Sequence, residues 1–259
     1  MSNKPKVRTE TINRTLVVEI DRPEVRNAVD GETARLLHEA FTDFDADTTL
    51  DVAILTGSQG HFCAGADLHT IADEAGTRVT LDGPGPMGPT RMSLTKPVIA
   101  AIEGYAVAGG IELALWCDLR VAAADATLGV FCRRLGVPLV DGGTVRLPRL
   151  IGHSRAMDLI LTGRGVGAEE AKLMGLVNRV TESGGALDGA LKLATEIAVH
   201  PQVCMRNDRR SVLEQWDLGE ADALVNETRL GLSTIGSGET AEGAGRFSSG
   251  EGRHGKPVA

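Results

Sequence analysis

Aromatic side chains are scarce in this sequence: two Trp, one Tyr and five Phe among 259 residues. A core must therefore come mainly from Ala, Val, Leu and Ile, and at 42% apolar residues the chain has enough of them. Basic charge is also short. Twenty-seven Lys and Arg against 35 Asp and Glu give a net charge of −8. That balance argues against nucleic acid as the main partner, because phosphate binding needs a broad basic surface. One anionic ligand stays compatible, since a few local cations suffice. The cysteines Cys63, Cys117, Cys132 and Cys204 contain no CxxC pair, and a chain this long does not depend on disulfides. Reduced thiols are expected. Met1 to Val18 is polar with isolated apolar residues, unlike a signal peptide. No apolar run reaches the ~18 residues of a membrane span, so a soluble cytoplasmic protein without membrane partners is expected. The six histidines form neither HxxxH nor HExxH, which gives no metal site. There is no GxSxG elbow for serine hydrolysis. Gly83-Pro-Gly85-Pro-Met-Gly88 fits GxGxxG only in form. Its prolines do not open a helix after a strand, so it reads as a loop and no dinucleotide site.

What is present is an alternation of short apolar runs and amphipathic stretches. Leu16–Ile20, Val52–Thr56, Val98–Ile102, Leu119–Ala123 and Leu176–Val180 read as strands. Glu32–Phe44, with Leu36, Leu37, Ala40, Phe41 and Phe44 at helical spacing, reads as a helix. Strands alternating with helices indicate an α/β fold. Near Ile151 the character changes. Helices are expected at Arg155–Leu161, Ala168–Met174, Ala186–His200 and Gln202–Leu232, followed by a partly mobile Gly/Ser-rich tail from Ser233. The expected organisation is an α/β core over 1–150 and a helical part over 151–259. Val52–Thr56 leading to Cys63–Leu68, and Val98–Ile102 leading to Ala108–Leu113, rhyme as strand, small-residue turn and apolar helix start.

The run Gly110 to Cys117 is almost wholly apolar, so its helix should be buried. A buried helix N-terminus leaves amide donors without partners, and Gly109 lets a ligand come close to them. Glu112 lies nearly one turn on, and a carboxylate in apolar surroundings has a raised pKa suited to acid/base work. Tight helix packing with Glu112 salt-bridged elsewhere is the alternative. Asp67, after Cys63-Ala64-Gly65-Ala66, is placed to cap a following helix.

Three segments resemble the crotonase (enoyl-CoA hydratase/isomerase) superfamily: Leu55–Gly57 with Phe62–Leu68, Lys96–Ala114, and Gly143–Gly152. Arg22-Pro23 with Arg26-Asn27-Ala28, and Leu161–Gly163 through Glu170-Ala171 to Gly175–Asn178, fit too, so the resemblance covers roughly residues 10 to 250. It implies a crotonase-like spiral of ββα units with a helical C-terminal trimerisation region, assembling as a homotrimer or a dimer of trimers. It implies an acyl-CoA substrate and no separate cofactor, coenzyme A entering with the substrate. By resemblance the amides of Ala66 and Gly109 form an oxyanion hole, in which losing one donor typically costs about 3 kcal/mol. Arg26, Ala64, Asp67 and Leu68 line the CoA moiety by the same likeness, and Lys256 reaches a CoA phosphate.

Family hydratases usually use two glutamates. Glu112 matches the first. Where the second sits in Gly-x-Pro-Glu, this chain has Gly129-Val-Phe-Cys132. A thiol with a pKa of ~8.5 is a poor substitute for a carboxylic acid in water addition, so Cys132 reads as a small buried residue. Asp141 stands before Gly142-Gly143-Thr144, much as an aspartate does in related dienoyl-CoA isomerases. It is either a relocated second acid/base or the cap of the next helix. Arg133-Arg134 read as salt-bridging residues at a subunit contact. Hydration of a 2-enoyl-CoA is the expected reaction. Enoyl- or dienoyl-CoA isomerisation with Glu112 and Asp141 is the alternative, and a non-catalytic acyl-CoA binder is the alternative of another class. The segment Ile71–Thr95 is expected to shape the acyl pocket.

Overall fold

The computed structural model describes residues 4–70 and 77–252. Strand β1 (Val7–Ile12) pairs antiparallel with β2 (Thr15–Ile20). β1 was not legible as a strand: its sequence VRTETI is polar, and both its faces are largely exposed. Helix α1 (Gly31–Ala46) follows, started by the Asp30 carboxylate accepting from the Thr33 amide. It buries Leu37, Phe41 and Phe44, as its periodicity predicts, while Leu36 and Ala40 are only half-buried. Parallel strands β3 (Val52–Gly57) and β4 (Val98–Ile102) come next. They are buried on both faces, which suits their continuous apolar sequences.

The short β5 (Tyr105–Val107) leads into α2 (Gly109–Trp116). β6 (Leu119–Ala123), β7 (Thr127–Gly129) and α3 (Gly143–Ile151) repeat that order of two strands and a helix. α4 (His153–Thr162), β8 (Gly165–Gly167), α5 (Ala168–Met174) and β9 (Arg179–Thr181) continue the chain. The main sheet runs β1-β2-β3-β4-β6-β9, parallel from β2 onward, and β5-β7-β8 form a second, smaller sheet. The strand expected at Leu176–Val180 begins later. Gly175 ends α5 in the left-handed region, and the amides of Leu176 and Val177 still bond the Ala171 carbonyl.

α6 (Ala186–Ala198) precedes α7 (Gln202–Glu214), α8 (Glu220–Ser237) and α9 (Glu239–Ser249). The chain divides between Ala194 and Thr195 rather than near residue 150, because β8 and β9 extend the two sheets that the earlier strands begin. Two further expectations are corrected. The single helix over 202–232 is broken by a 3-10 turn at Gln215–Asp217, and α8 restarts after Gly219. The tail from Ser233 is helical through α8 and α9, with Gly238 (φ +94°) as the hinge between them. Glu239, just past that hinge, accepts from the Val203 and Cys204 amides and caps α7.

Candidate active site

The segment Phe62–Asp67 crosses between two pieces of backbone. Cys63 donates its amide to the Tyr105 carbonyl (2.8 Å), and Val107 donates back to Cys63 (3.1 Å). On the other side Val29 donates to the Gly65 carbonyl (2.8 Å) and Asp67 donates to the Val29 carbonyl (2.9 Å). Ala66 sits between these last two bonds, so its own amide turns the other way. Gly65, at φ +100°, makes the crossing possible: a Cβ there would meet the Ala108 Cβ at 2.8 Å and the Gly109 amide nitrogen at 2.9 Å. Gly110 is equally constrained, its virtual Cβ lying 2.1 Å from the Cys63 carbonyl oxygen. These two glycines bring the start of α2 against Ala66.

Ala108 precedes α2 at φ 54°, ψ −125°, a strained setting for a residue with a side chain. As the first residue of α2, Gly109 has no intrahelical acceptor for its amide. Neither the Ala66 nor the Gly109 amide donates to an acceptor among the described residues, and both residues line a cavity of about 420 Å³. Leu68, Val79, Met87, Phe131, Val137 and Val140 supply much of its apolar wall. Two free amides on one apolar cavity suit an oxygen that gains negative charge.

Glu112 and Asp141 also line this cavity, 2% and 4% exposed. Glu112 Oε1 accepts from the amides of Asp141 (2.9 Å) and Gly143 (2.8 Å), so backbone amides rather than a salt bridge hold it. Burial pushes its pKa up to about 7; the Gly143 amide opposes the shift and the Asp141 charge adds to it. Asp141 does not cap α3, as one expectation had it. Gly142 occupies the cap position, with no side-chain cap bond. The carboxylate turns instead toward the loop before β4, where Oδ1 accepts from the Met87 amide (2.9 Å) and the Thr90 hydroxyl. Burial raises its pKa, against the pull of those two donors.

Cys132 lies in a 3-10 turn, Phe131–Leu135, and is buried as expected, yet it lines the cavity as well. Burial and the nearby Glu112 charge push its thiol pKa up, so it stays neutral. Within the described residues of this chain, Arg133 and Arg134 pair with carbonyls. Arg133 donates to Ile160 (3.1 Å), and Arg134 to Gly163 (3.0 and 2.7 Å) with its guanidinium 3.8 Å from the Phe131 ring centroid. The pair thereby anchors the turn to the end of α4.

Of the residues assigned to CoA, Ala64 and Leu68 line the cavity, whereas Arg26 and Asp67 do not. Arg26 is exposed, at φ 51°, with its guanidinium 5.8 Å from the Tyr105 ring centroid. Asp67 is buried and paired with Arg22 (2.9 Å); it accepts weakly from the His69 amide (3.2 Å), and residues 68–70 after it form a turn rather than the start of a helix. Lys256 lies outside the described residues, as do residues 71–76 of the segment expected to shape the pocket. Thr77, Val79, Pro86 and Met87 of that segment do line the cavity. Sequence reasoning missed Met87 and Thr90. Their signal was Gly83-Pro-Gly85-Pro-Met-Gly88, a loop as expected, whose Gly85 leaves no room for a Cβ: the Thr90 hydroxyl oxygen would lie 2.0 Å away. No group of three or more His, Cys, Asp or Glu among the described residues could hold a metal.

Comparison with known proteins identifies the family. The family model for enoyl-CoA hydratase/isomerase matches residues 10–252. A Mycobacterium tuberculosis protein named enoyl-CoA hydratase EchA19 is 36% identical over 250 residues, covering 94% of this chain and 93% of the relative. The 2,3-dehydroadipyl-CoA hydratase of Escherichia coli is 33% identical, covering 90% and 92%. A crystal structure of an enoyl-CoA hydratase from Mycobacterium tuberculosis superimposes with a TM-score of 0.90 at 39% identity, covering 95% of this chain and 96% of that one. With two free amides and a buried carboxyl pair on one cavity, and likeness along nearly its whole length, the chain belongs to the enoyl-CoA hydratase/isomerase family.

Proposed function

We propose that the protein hydrates a 2-enoyl thioester of coenzyme A. The observation that carries this reading is the convergence of the Ala66 and Gly109 amides with Glu112 and Asp141 on one apolar cavity. The thioester oxygen accepts from both amides. Charge that develops on it as the Cα–Cβ double bond is attacked is met by donors already in place. Water adds its oxygen to Cβ, and a proton reaches Cα. Glu112, with a pKa near 7, is balanced between accepting and giving that proton. Asp141 supplies the second carboxyl group that Cys132 lacks.

Coenzyme A enters as part of the substrate, so no separate cofactor takes part. Ala64 and Leu68 are assigned to its near end, with Arg26 exposed nearby and Asp67 buried behind them as the partner of Arg22. The repeated strand-strand-helix order supports a crotonase spiral, and exposed apolar residues on α7 and α8, among them Val212, Leu224 and Ile235, support a trimerising C-terminal part, as a homotrimer or a dimer of trimers. No helix of the described residues is long and apolar enough to cross a membrane, which fits a cytoplasmic enzyme.

Cys132 in place of a second glutamate favours a second reading, isomerisation of an enoyl- or dienoyl-CoA by Glu112 and Asp141. One assay separates the readings: loss of enoyl absorbance with crotonyl-CoA, run beside product analysis with 3-enoyl and dienoyl thioesters. Turnover of crotonyl-CoA is the expected result. CoA affinity without turnover of any of these would instead identify an acyl-CoA binder.

A further inference from the structure

Asp141 is held from four directions. Its amide donates to Glu112 Oε1 (2.9 Å), and its carbonyl accepts from Arg146 Nη1 (2.9 Å). Its Oδ1 accepts from the Met87 amide (2.9 Å) and from the Thr90 hydroxyl. Its Oδ2 has no partner among the described residues. That leaves Oδ2 as the atom open to the cavity that Asp141 lines.

The Thr90 side of this arrangement is built closely. Thr90 and Met87 are each 1% exposed. Gly85 and Gly88 close the turn above them (2.8 Å), and any side chain at Gly85 would strike both Thr90 and Asp141, the latter at 2.9 Å. The same Arg146 that holds the Asp141 carbonyl donates Nη2 to the Thr90 carbonyl (2.7 Å). Gly142 admits that guanidinium, since a Cβ there would lie 2.3 Å from Nη1. Thr90 and Asp141 are thus joined twice, by side chains and through Arg146, although 51 residues separate them in sequence.

We infer that Thr90 is a positioning residue, whose hydroxyl fixes Asp141 Oδ1 so that Oδ2 faces the substrate's Cα–Cβ bond. The inference rests on the reading of Asp141 as the second carboxyl group of the reaction. A hydroxyl in a fully buried site could instead point to a carbonyl, as the Thr56 hydroxyl does toward Ala101 (3.1 Å), and would then do no more than satisfy packing. Thr90 spends its hydroxyl on a carboxylate in the cavity wall.

The test is a double-mutant cycle in kcat on crotonyl-CoA, with Thr90→Val, Asp141→Asn and the pair. Thr90→Val keeps the shape and removes the donor. It should lower kcat about tenfold with KM little changed. Losing a donor to the carboxylate form raises the Asp141 pKa, so the pH–rate limb belonging to Asp141 should move to higher pH. Glu112, Arg91 and Arg146 are the charged groups around that carboxyl and stay constant across the set. Thr90→Ser should restore kcat and pH profile. In the Asp141→Asn background, Thr90→Val should add no further loss. Unchanged kcat and pH profile in Thr90→Val, or an equal loss in both backgrounds, overturns the inference. If Thr90→Val fails to fold, Thr90→Ala gives the same readouts. Full turnover by Asp141→Asn alone would remove the underlying reading, and that outcome is seen without reference to Thr90.

Discussion

Glu112 lines the cavity with only 2% of its surface exposed, less than the other titratable groups there, Asp141 at 4% and Cys132 at 5%. Its carboxyl, ordinarily near 4.5, is pushed up to about 7 by burial, against the Gly143 amide and with help from the Asp141 charge. The folded state therefore disfavours the ionised form. This destabilisation is absent below pH 4.5, grows as pH rises toward 7, and is fully present above it. A shift of that size corresponds to roughly 3 kcal/mol. Glu112→Gln keeps an oxygen to accept from Asp141 and Gly143 but removes the charge. Its stability relative to the parent should therefore improve between pH 4 and pH 8 by something on that order, read from urea unfolding at both pH values. A gap that does not change with pH would refute the assigned environment. The same variant should lower kcat by about 10²–10⁴ while still binding CoA, and an active Glu112→Gln enzyme would sink the proposed role. Glu112 was legible in sequence because an acid inside an apolar helix is conspicuous locally. The partners of Asp141 were not, because Met87 and Thr90 lie 54 and 51 residues away and only the folded loop brings them in.

At the scale of elements, the site depends on how closely α2 approaches the Cys63–Ala66 backbone. Gly110 sets that distance, with no space for a methyl against the Cys63 carbonyl. Gly110→Ala should cost about 1–3 kcal/mol through overpacking and should also lower kcat, since α2 must retreat and carry the Gly109 amide with it. Gly236 in α8 is the contrast. Nothing lies within 4 Å of its virtual Cβ and its φ is ordinary for a helix. Gly236→Ala should raise stability by about 1 kcal/mol and leave kcat alone, which thermal melts and the crotonyl-CoA assay would check together. Buried parallel strands such as β3 and β4 announce themselves by unbroken apolar runs, so they were readable. β1 was hidden because an exposed edge strand needs no apolar pattern. The helices after Ser233 were hidden because Gly and Ser lower local helix propensity, and α7 and α8 supply contacts that propensity does not count.

At the scale of the whole molecule, the cavity lies entirely within the unit ending at Ala194, and its chemistry constrains the acyl group. The α/β class was legible because short apolar runs alternate with helical spacing along the chain. The acyl pocket was not, because its wall comes from segments as distant as Leu68, Val79, Phe131 and Val140. The only charged side chains lining it among the described residues are Glu112 and Asp141, both acidic. An acyl chain ending in a carboxylate would meet no cation there and would lose hydration without compensation. Short apolar 2-enoyl thioesters should therefore exceed ω-carboxylated ones of equal length in kcat/KM by at least about tenfold, a difference of roughly 1.4 kcal/mol. The comparison is made on one enzyme preparation, with chain length held constant, so that CoA recognition cancels. The gap should narrow as pH falls and the ω-carboxyl becomes neutral. Equal kcat/KM for the two classes at pH 8 would mean that a cation reaches the acyl end, and would contradict the apolar wall built by Leu68, Val79, Met87 and Phe131.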